Sequence, residues 1–155
     1  MMYSKNKGLG LLETLFAIGI ITLLLAFGFG PFDAIKERQM LNKAVEEIES
    51  LLQEAKTNTI ASTGGVRYGV HFETSSVTLF SGSVYSPSAS DNKTLIINNS
   101  VYISNISLSG GGSEIVFNRI TGDTDNNGTI RVSVTENPSR SRLITVFPVG
   151  TFFTE

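Results

Sequence analysis

The distribution of hydrophobic residues divides the chain into three parts. The first contains a nearly unbroken apolar run from Leu9 to Gly30, whose only charge is Glu13. A run of about 20 apolar residues is long enough to cross a bilayer as a helix. Lys5 and Lys7 precede it, and positive charge tends to stay on the cytoplasmic side of a membrane. The pattern therefore predicts a short leader and a membrane-spanning helix, with the rest of the chain outside the cytoplasm.

The second part has the period of an amphipathic helix. Apolar residues recur there at steps of three and four, and charges of both signs fill the other positions, as on a solvated helix face. The apolar positions are Ile35, Leu41, Ala44, Val45, Ile48, Leu51, Leu52 and Ala55. Gly28, Gly30 and Pro31 precede this segment and predict an interruption of the helix, because Gly and Pro both weaken a helix interior.

The third part is rich in Ser, Thr, Asn and Gly, and it begins with Ser62-Thr63-Gly64-Gly65, which predicts the end of the helix. Short runs rich in β-branched and aromatic residues then predict strands. These runs are Val66–Glu73, Val77–Phe80, Thr94–Ile97, Val101–Ile106, Glu114–Phe117, Thr129–Val134 and Leu143–Phe147. Their close spacing predicts antiparallel hairpins in one or two small sheets, and a helix followed by strands predicts an α+β fold.

These patterns predict four segments: a leader at 1–8, a membrane-spanning helix at 9–31, an amphipathic helix at 32–61 and a β-rich head at 62–155. The 155 residues include no cysteine, which excludes disulfides and cysteine-based metal sites. The net charge is −2 at pH 7, so charge alone does not predict nucleic-acid binding. The only histidine, His71, lies in a predicted strand and is interpreted as a core or edge residue. We expect no enzymatic activity.

Glu13 needs an explanation, since a carboxylate in hydrocarbon costs on the order of 3 kcal/mol or more. A secretory signal peptide cut near Ala26-Phe27-Gly28 is one interpretation. The apolar run exceeds the usual length of about 7–15 residues for such a peptide, and it contains a charge. A plain membrane anchor is a second interpretation, but it leaves Glu13 without a role.

A third interpretation comes from Lys7-Gly8-Leu9-Gly10-Leu11-Leu12-Glu13, which resembles the prepilin peptidase site of type IV pilins and type II secretion pseudopilins. The resemblance implies a cut between Gly8 and Leu9, N-methylation of Leu9, and Glu13 as the fifth residue of the mature chain. Leu9 stands where the family more commonly has Phe. Glu13 would pair with the new amine of a neighbouring copy, because a paired buried charge is tolerated where a lone one is not.

The same resemblance implies partners and a location. The partners are the prepilin peptidase, other pilin or pseudopilin subunits and an inner-membrane assembly platform. The location is the bacterial inner membrane, crossed once with the head outside the cytoplasm, and afterwards an extracytoplasmic filament.

A second resemblance covers the head. The segment from Leu51 to Ala61, followed by Tyr68-Gly69-Val70-His71-Phe72, is similar to the GspH/FimT group of minor pilins, in which a first strand directly follows the helix end. The resemblance implies a structural subunit of a type IV pilus or type II secretion pseudopilus. FimT-like pilins bind DNA through a C-terminal Gly-Arg-x-Arg motif, but the matching place here reads Gly150-Thr151-Phe152-Phe153.

Two alternatives stay open beside the filament subunit. One is a DNA-binding pilin of an uptake system, for which the basic cluster Ser139-Arg140-Ser141-Arg142 supplies Arg140 and Arg142 as candidate phosphate contacts. The missing arginine motif argues against this alternative, and DNA is not an expected partner. The other is a single-span anchored binding domain that never assembles.

One segment of the head resembles a calcium loop. Asp123-Thr124-Asp125-Asn126-Asn127-Gly128 places the oxygen ligands Asp123, Asp125 and Asn127 at alternate positions and Gly at the sixth. The twelfth position is Val134, so the usual bidentate Glu is missing. The same residue types are typical of a hairpin turn. Calcium and a turn remain alternatives here, and no other cofactor is expected.

Overall fold

The computed structural model describes residues 10–28 and 30–155. Helix α1 spans Leu11–Gly28, helix α2 spans Gly30–Ile60, and a short 3-10 turn follows at Thr63–Gly65. The strands are β1 (Tyr68–Phe72), β2 (Ser76–Ser81), β3 (Lys93–Ile96), β4 (Val101–Leu108), β5 (Glu114–Val116), β6 (Gly128–Val134), β7 (Ser141–Val146) and β8 (Phe152–Thr154). The chain divides into two compact units, one up to Lys36 and one from Glu37 to Glu155. The predicted α+β fold is confirmed.

The apolar stripe of α2 is buried along the C-terminal part of the helix. Ile48, Leu52 and Ala55 have no exposed surface, and the other members from Leu41 onward are at most 5% exposed. Burying one Leu, Ile or Val side chain contributes about 1.5–3 kcal/mol. Ile35, the first apolar position of the predicted pattern, is 51% exposed.

The strands form two antiparallel sheets of four strands each. The first has the order β3-β2-β1-β5 and the second the order β4-β6-β7-β8. In the first sheet Val70 of β1 lies opposite Leu79 of β2 and Ile115 of β5. Alternate side chains of a strand point to opposite faces, so each sheet presents one apolar face, and these faces join the stripe of α2 in one hydrophobic core.

Polar contacts connect α2 to the strands around this core. The Nζ atom of Lys93 on β3 lies 2.6 Å from the Glu54 carboxylate, and the hydroxyl of Thr154 on β8 donates to Glu49 over 2.5 Å. The backbone N–H of Tyr68 donates to the buried Thr59 hydroxyl over 2.9 Å. This last bond places the first strand directly after the helix end.

A β-bulge changes the phase of β4. The register with β6 shifts between Ile103 and Asn105, which leaves Ser104 as the extra residue. Val101 and Ile103 face the core before the bulge, and Leu108 is buried after it. A one-residue insertion reverses the inward positions of a strand, so the bulge keeps apolar residues inward along all of β4.

Strand β8 is the one element of the head that the sequence analysis does not predict. It has three residues, too few to display an alternating pattern. It becomes a strand because Phe152 and Thr154 pair with Val146 and Ile144 of β7.

Two loops meet beside the C-terminal part of α2. Gly150 has a φ of +73°, and a Cβ atom placed on it would overlap the carbonyl oxygen of Gly122. The Nζ atom of Lys56 on α2 donates to the carbonyl of Gly150 over 3.0 Å. The backbone N–H of Thr124 donates to Pro148 over 2.8 Å. Gly150 is therefore required both for its backbone conformation and for the close approach of the two loops.

We expect Leu52→Ala to lower the free energy of unfolding by about 2–5 kcal/mol, because it removes buried methyl groups and leaves a cavity. The control is Ile96→Ala on β3, since Ile96 is 77% exposed and such a substitution changes stability by about 0.5 kcal/mol or less. Urea unfolding of the full chain in a neutral detergent, followed by the near-ultraviolet circular dichroism of the tyrosines, measures both. Equal losses for the two variants would contradict this packing.

We also expect Gly150→Ala to destabilise the head more than Gly111→Ala. Both glycines have positive φ angles, +73° and +77°, but a Cβ atom on Gly111 would meet no other atom. Each variant therefore carries the conformational cost of about 1–2 kcal/mol, and only Gly150→Ala adds a clash with the Gly122 backbone. The same unfolding measurement compares them, and a Gly150→Ala loss no larger than that of Gly111→Ala would rule out the close approach.

Candidate functional site

The surface of α1 is apolar on all sides. Between Leu11 and Leu25, ten large aliphatic and aromatic side chains are each between 53% and 81% exposed. They are Leu11, Leu12, Leu15, Phe16, Ile18, Ile20, Ile21, Leu23, Leu24 and Leu25. A helix that is hydrophobic all round is normally buried in a membrane or in a large protein core.

A shallow groove of about 320 Å³ runs along one side of α1. Its lining residues follow one another at steps of one and three, and they are Leu12, Leu15, Phe16, Gly19, Ile20 and Leu23. A Cβ atom placed on Gly19 would meet no other atom. Small residues allow a second helix to approach closely, so this side of α1 is suited to helix packing.

Glu13 is an exposed residue in the first turn of α1. Its backbone N–H donates to the carbonyl of Gly10 over 2.9 Å. A carboxylate near a helix N-terminus interacts favourably with the helix dipole. No residue that the structure describes makes a hydrogen bond or ion pair with its side chain.

The predicted cleavage site at Gly8 and Leu9 lies outside the described residues, so processing there remains a prediction. Between residues 10 and 155, leaving out Phe29, no helix combines the length and the apolar character required to cross a membrane.

The segment from Asp123 to Gly128 joins the two sheets. It lies between β5 of the first sheet and β6 of the second, and these strands are not paired. The hairpin-turn alternative is therefore wrong, because a hairpin would join paired neighbouring strands. The Oδ1 atom of Asp123 accepts a hydrogen bond from the Thr121 hydroxyl over 2.7 Å, and Asn118 lies 3.4 Å from Asp125.

The hydrogen bond from Thr121, followed by contributions from Asn118, lowers the pKa of Asp123 below its ordinary value. This shift favours the carboxylate, the form that binds a cation. The part of the chain that is described contains no group of three or more His, Cys, Asp and Glu residues placed to hold a metal ion. Calcium binding by Asp123, Asp125 and Asn127 stays a prediction.

The structure brings Arg140 and Arg142 into a groove with residues of α2. This arginine groove has a volume of about 510 Å³. It is lined by Arg38, Leu41, Asn42, Ser139, Arg140, Ser141 and Arg142. The lining thus includes three arginines, two serines and one asparagine, and these residue types are suited to an anion.

Contacts within the arginine groove position its side chains. The guanidinium group of Arg140 lies 3.3 Å from the carboxylate of Glu37. Arg142 makes a long contact of 3.5 Å with the Asn42 side chain. Beside the groove, Arg131 donates to the Ser141 hydroxyl over 3.2 Å.

The sequence analysis identified the arginines of β7 and the preceding turn but missed Arg38 and Asn42. These two residues lie about 100 positions earlier in the chain, on the face of α2 whose polar sequence pattern predicts an ordinary solvent-exposed surface. No local pattern could have joined them to Arg140 and Arg142, since only the packing of α2 against the second sheet makes them neighbours.

His71 is a half-buried residue of β1. Its ring stacks on Tyr85, with centroids 3.9 Å apart and an interplanar angle of 11°. The Nδ1 atom lies 3.4 Å from Glu114 and the Nε2 atom lies 3.7 Å from Glu73. The two carboxylates approach different ring nitrogens, so they do not converge on one bound ion.

Comparisons with known proteins agree with this architecture. The family model described as type II transport protein GspH matches residues 44–150. Among solved structures, the chain is similar to the type IV minor pilin FimU of Pseudomonas aeruginosa strain PAO1, with a TM-score of 0.55 and 14% sequence identity. The match covers 74% of this chain and 92% of that one, and at this identity it shows a shared fold. A comparison with curated proteins found no match.

The matched part includes the buried stripe of α2 from Ala44 onward, strands β1 to β7 and the turn at Gly150. Because the family model matches more than half of the chain, the protein belongs to the GspH family of type II transport proteins.

Proposed function

We propose that the protein is a minor pilin or pseudopilin that is cut between Gly8 and Leu9 and assembled into a filament through α1. The observation that carries this proposal is the surface of α1, where ten large apolar side chains are exposed and Glu13 is the only charged residue. The family supports a structural subunit of a pilus or secretion filament rather than an enzyme.

The energetics of α1 favour a permanent covering. Full burial of one large apolar side chain contributes about 1.5–3 kcal/mol, so covering ten of them provides on the order of 10 kcal/mol or more. A lipid bilayer supplies such a covering before assembly, and the α1 helices of neighbouring subunits supply it in a filament. The groove at Gly19 offers a place where one of these helices can approach α1.

Glu13 then acts as an assembly residue. Cleavage after Gly8 creates a positively charged amine on Leu9, and Glu13 of an adjacent subunit neutralises it within the apolar bundle. Removing one partner of a buried ion pair costs about 3–5 kcal/mol, because the other charge remains unpaired. The pair therefore selects one axial position of a subunit relative to its neighbour.

The charged leader supports the same sequence of cleavage, membrane anchoring and assembly. Lys5 and Lys7 keep the N-terminus in the cytoplasm, where a prepilin peptidase removes residues 1–8 and methylates Leu9. The subunit is then held in the inner membrane with its head outside the cytoplasm, and an assembly platform moves it into the filament.

We expect the protein recovered from its native cell to begin at Leu9 with one methyl group on the new amine. Mass spectrometry of the intact chain measures this. Gly8→Val blocks cleavage because the residue before the cut is altered, whereas Gly10→Val, two residues away, is cut normally. A native chain that begins at Met1, or beyond Gly30, would contradict the proposal.

We further expect Glu13→Ala to remove the subunit from sheared filaments while leaving its amount in the membrane fraction unchanged. The control is Glu136→Ala, which removes an exposed carboxylate of the head. Immunoblots of the filament and membrane fractions measure both variants in cells that lack the wild-type copy. Normal incorporation of Glu13→Ala would favour the anchored binding domain that never assembles.

A further inference from the structure

Strand β2 of the first sheet is buried on both of its faces. Val77 and Leu79 belong to the hydrophobic core, so the alternating residues Thr78 and Phe80 point to the opposite, outer face of the sheet. These two residues are nevertheless only 3% and 1% exposed. The outer face of the first sheet is therefore shielded from water at β2, although α2 and the second sheet lie on the other side.

The segment that joins β2 to β3, residues 82–92, contacts this outer face through Tyr85, and we call it the strap. The ring of Tyr85 stacks on His71 of β1, with centroids 3.9 Å apart, and it meets the Phe80 ring edge-on at 5.6 Å. The backbone N–H of Tyr85 donates to the Glu114 carboxylate of β5 over 3.4 Å. Neighbours on three strands thus hold the middle of the strap.

His71 lies between two carboxylates, which accept hydrogen bonds but do not donate them when ionised. Its Nδ1 atom is 3.4 Å from Glu114, and its Nε2 atom is 3.7 Å from Glu73. The Nδ1 atom is buried and has no hydrogen-bond partner among the described residues. A neutral imidazole carries one N–H, so it presents a lone pair to one of the two carboxylates. An imidazolium donates from both nitrogens and attracts both negative charges.

Within the part of the chain that the structure describes, these two glutamates are the only ion-pair partners of His71. Thr78, which lies opposite His71 on β2, is uncharged. In the strap, the Asp91 carboxylate bonds the Ser81 hydroxyl at the far end of β2. On β3, Lys93 pairs with a carboxylate of α2 instead. The charge of the imidazole is therefore balanced by glutamates alone.

We propose that the strap is a pH-sensitive device: protonation of His71 holds the strap on the first sheet, and loss of that proton releases it. Glu114 transmits the change, because its Oε1 atom faces Nδ1 of His71 and its Oε2 atom accepts the N–H of Tyr85. A cation also attracts the face of an aromatic ring, so the stacked Tyr85 is held more strongly by an imidazolium.

The sign of the response follows from the charged groups. Imidazole ordinarily changes charge between about pH 5 and pH 8, whereas glutamate is ordinarily ionised throughout that range. At the acidic end an imidazolium faces two carboxylates, and at the alkaline end a neutral ring faces them. The strap is therefore held at acidic pH and released at alkaline pH. This proposal goes beyond filament assembly and does not depend on cleavage at Gly8.

The chain contains no cysteine, so one introduced cysteine carries a single nitroxide label. Val84→Cys places the label in the strap next to Tyr85. Ile96→Cys on β3 is the matched control, since the two replaced side chains are 75% and 77% exposed. Electron paramagnetic resonance of the full chain in a neutral detergent measures label mobility at about pH 5.5 and about pH 8.

We expect the ratio of mobile to immobile label at Val84→Cys to rise about fivefold at the alkaline pH, because two partly exposed ion pairs are lost. The label at Ile96→Cys keeps the same mobility at both pH values. Combined with the strap label, His71→Gln leaves the strap mobile at both pH values, since glutamine does not titrate. Glu114→Gln reduces the response, whereas Glu136→Gln, which changes an exposed carboxylate elsewhere in the head, leaves it intact.

Four results overturn the proposal: a strap label whose mobility is the same at both pH values or greater at the acidic one, a full response in His71→Gln, a full response in Glu114→Gln, or equal responses of the two labels. An unchanged Ile96→Cys spectrum shows that the sheet of each variant remains folded, and if His71→Gln unfolds it, Glu114→Gln decides. None of these measurements involves cleavage or filaments, so their failure is distinct from a failure of the proposed function.

Discussion

The stripe of α2 from Leu41 to Ala55 has to be covered, and this requirement organises the whole head. Its side chains join the apolar faces of two antiparallel sheets in one core. The polar contacts around the stripe follow from that packing, because they form where α2 passes β3, β8 and the turn at Gly150. Each contact is modest by itself, since exposed ion pairs contribute about 0–1 kcal/mol. Together they set the position of the helix relative to the strands.

The two helices differ in how their apolar residues are distributed, and this difference separates folding from assembly. In α2 these residues occupy one side, so the strands of the same chain can cover them. In α1 they surround the helix, so no single face of a small head could cover them. This distribution supports the proposed filament subunit, in which lipid and neighbouring copies would cover the first helix.

The arginine groove is a consequence of the same packing. The second sheet packs on α2, and this packing places the turn before β7 beside residues 38–42. The Glu37 carboxylate then holds the Arg140 side chain in position. A local concentration of positive charge arises on a negative head without any contiguous basic sequence. The groove and α1 offer different physical interactions, electrostatic in one case and hydrophobic in the other.

Several features could be read from the sequence because they depend on local periodicity. The α2 stripe, seven of the strands and the α+β class belong to this group. The N-terminal motif that indicated the pilin-like family is likewise local, because it consists of specific residues at a fixed spacing. Other features depend on residues far apart in the chain. Pairing with β7 makes β8 a strand, the contact of Gly150 with Gly122 joins two loops, and helix packing brings Arg38 to Arg142. Periodicity shows which side of an element avoids water, but only tertiary packing decides what covers that side and which polar residues meet at its edge.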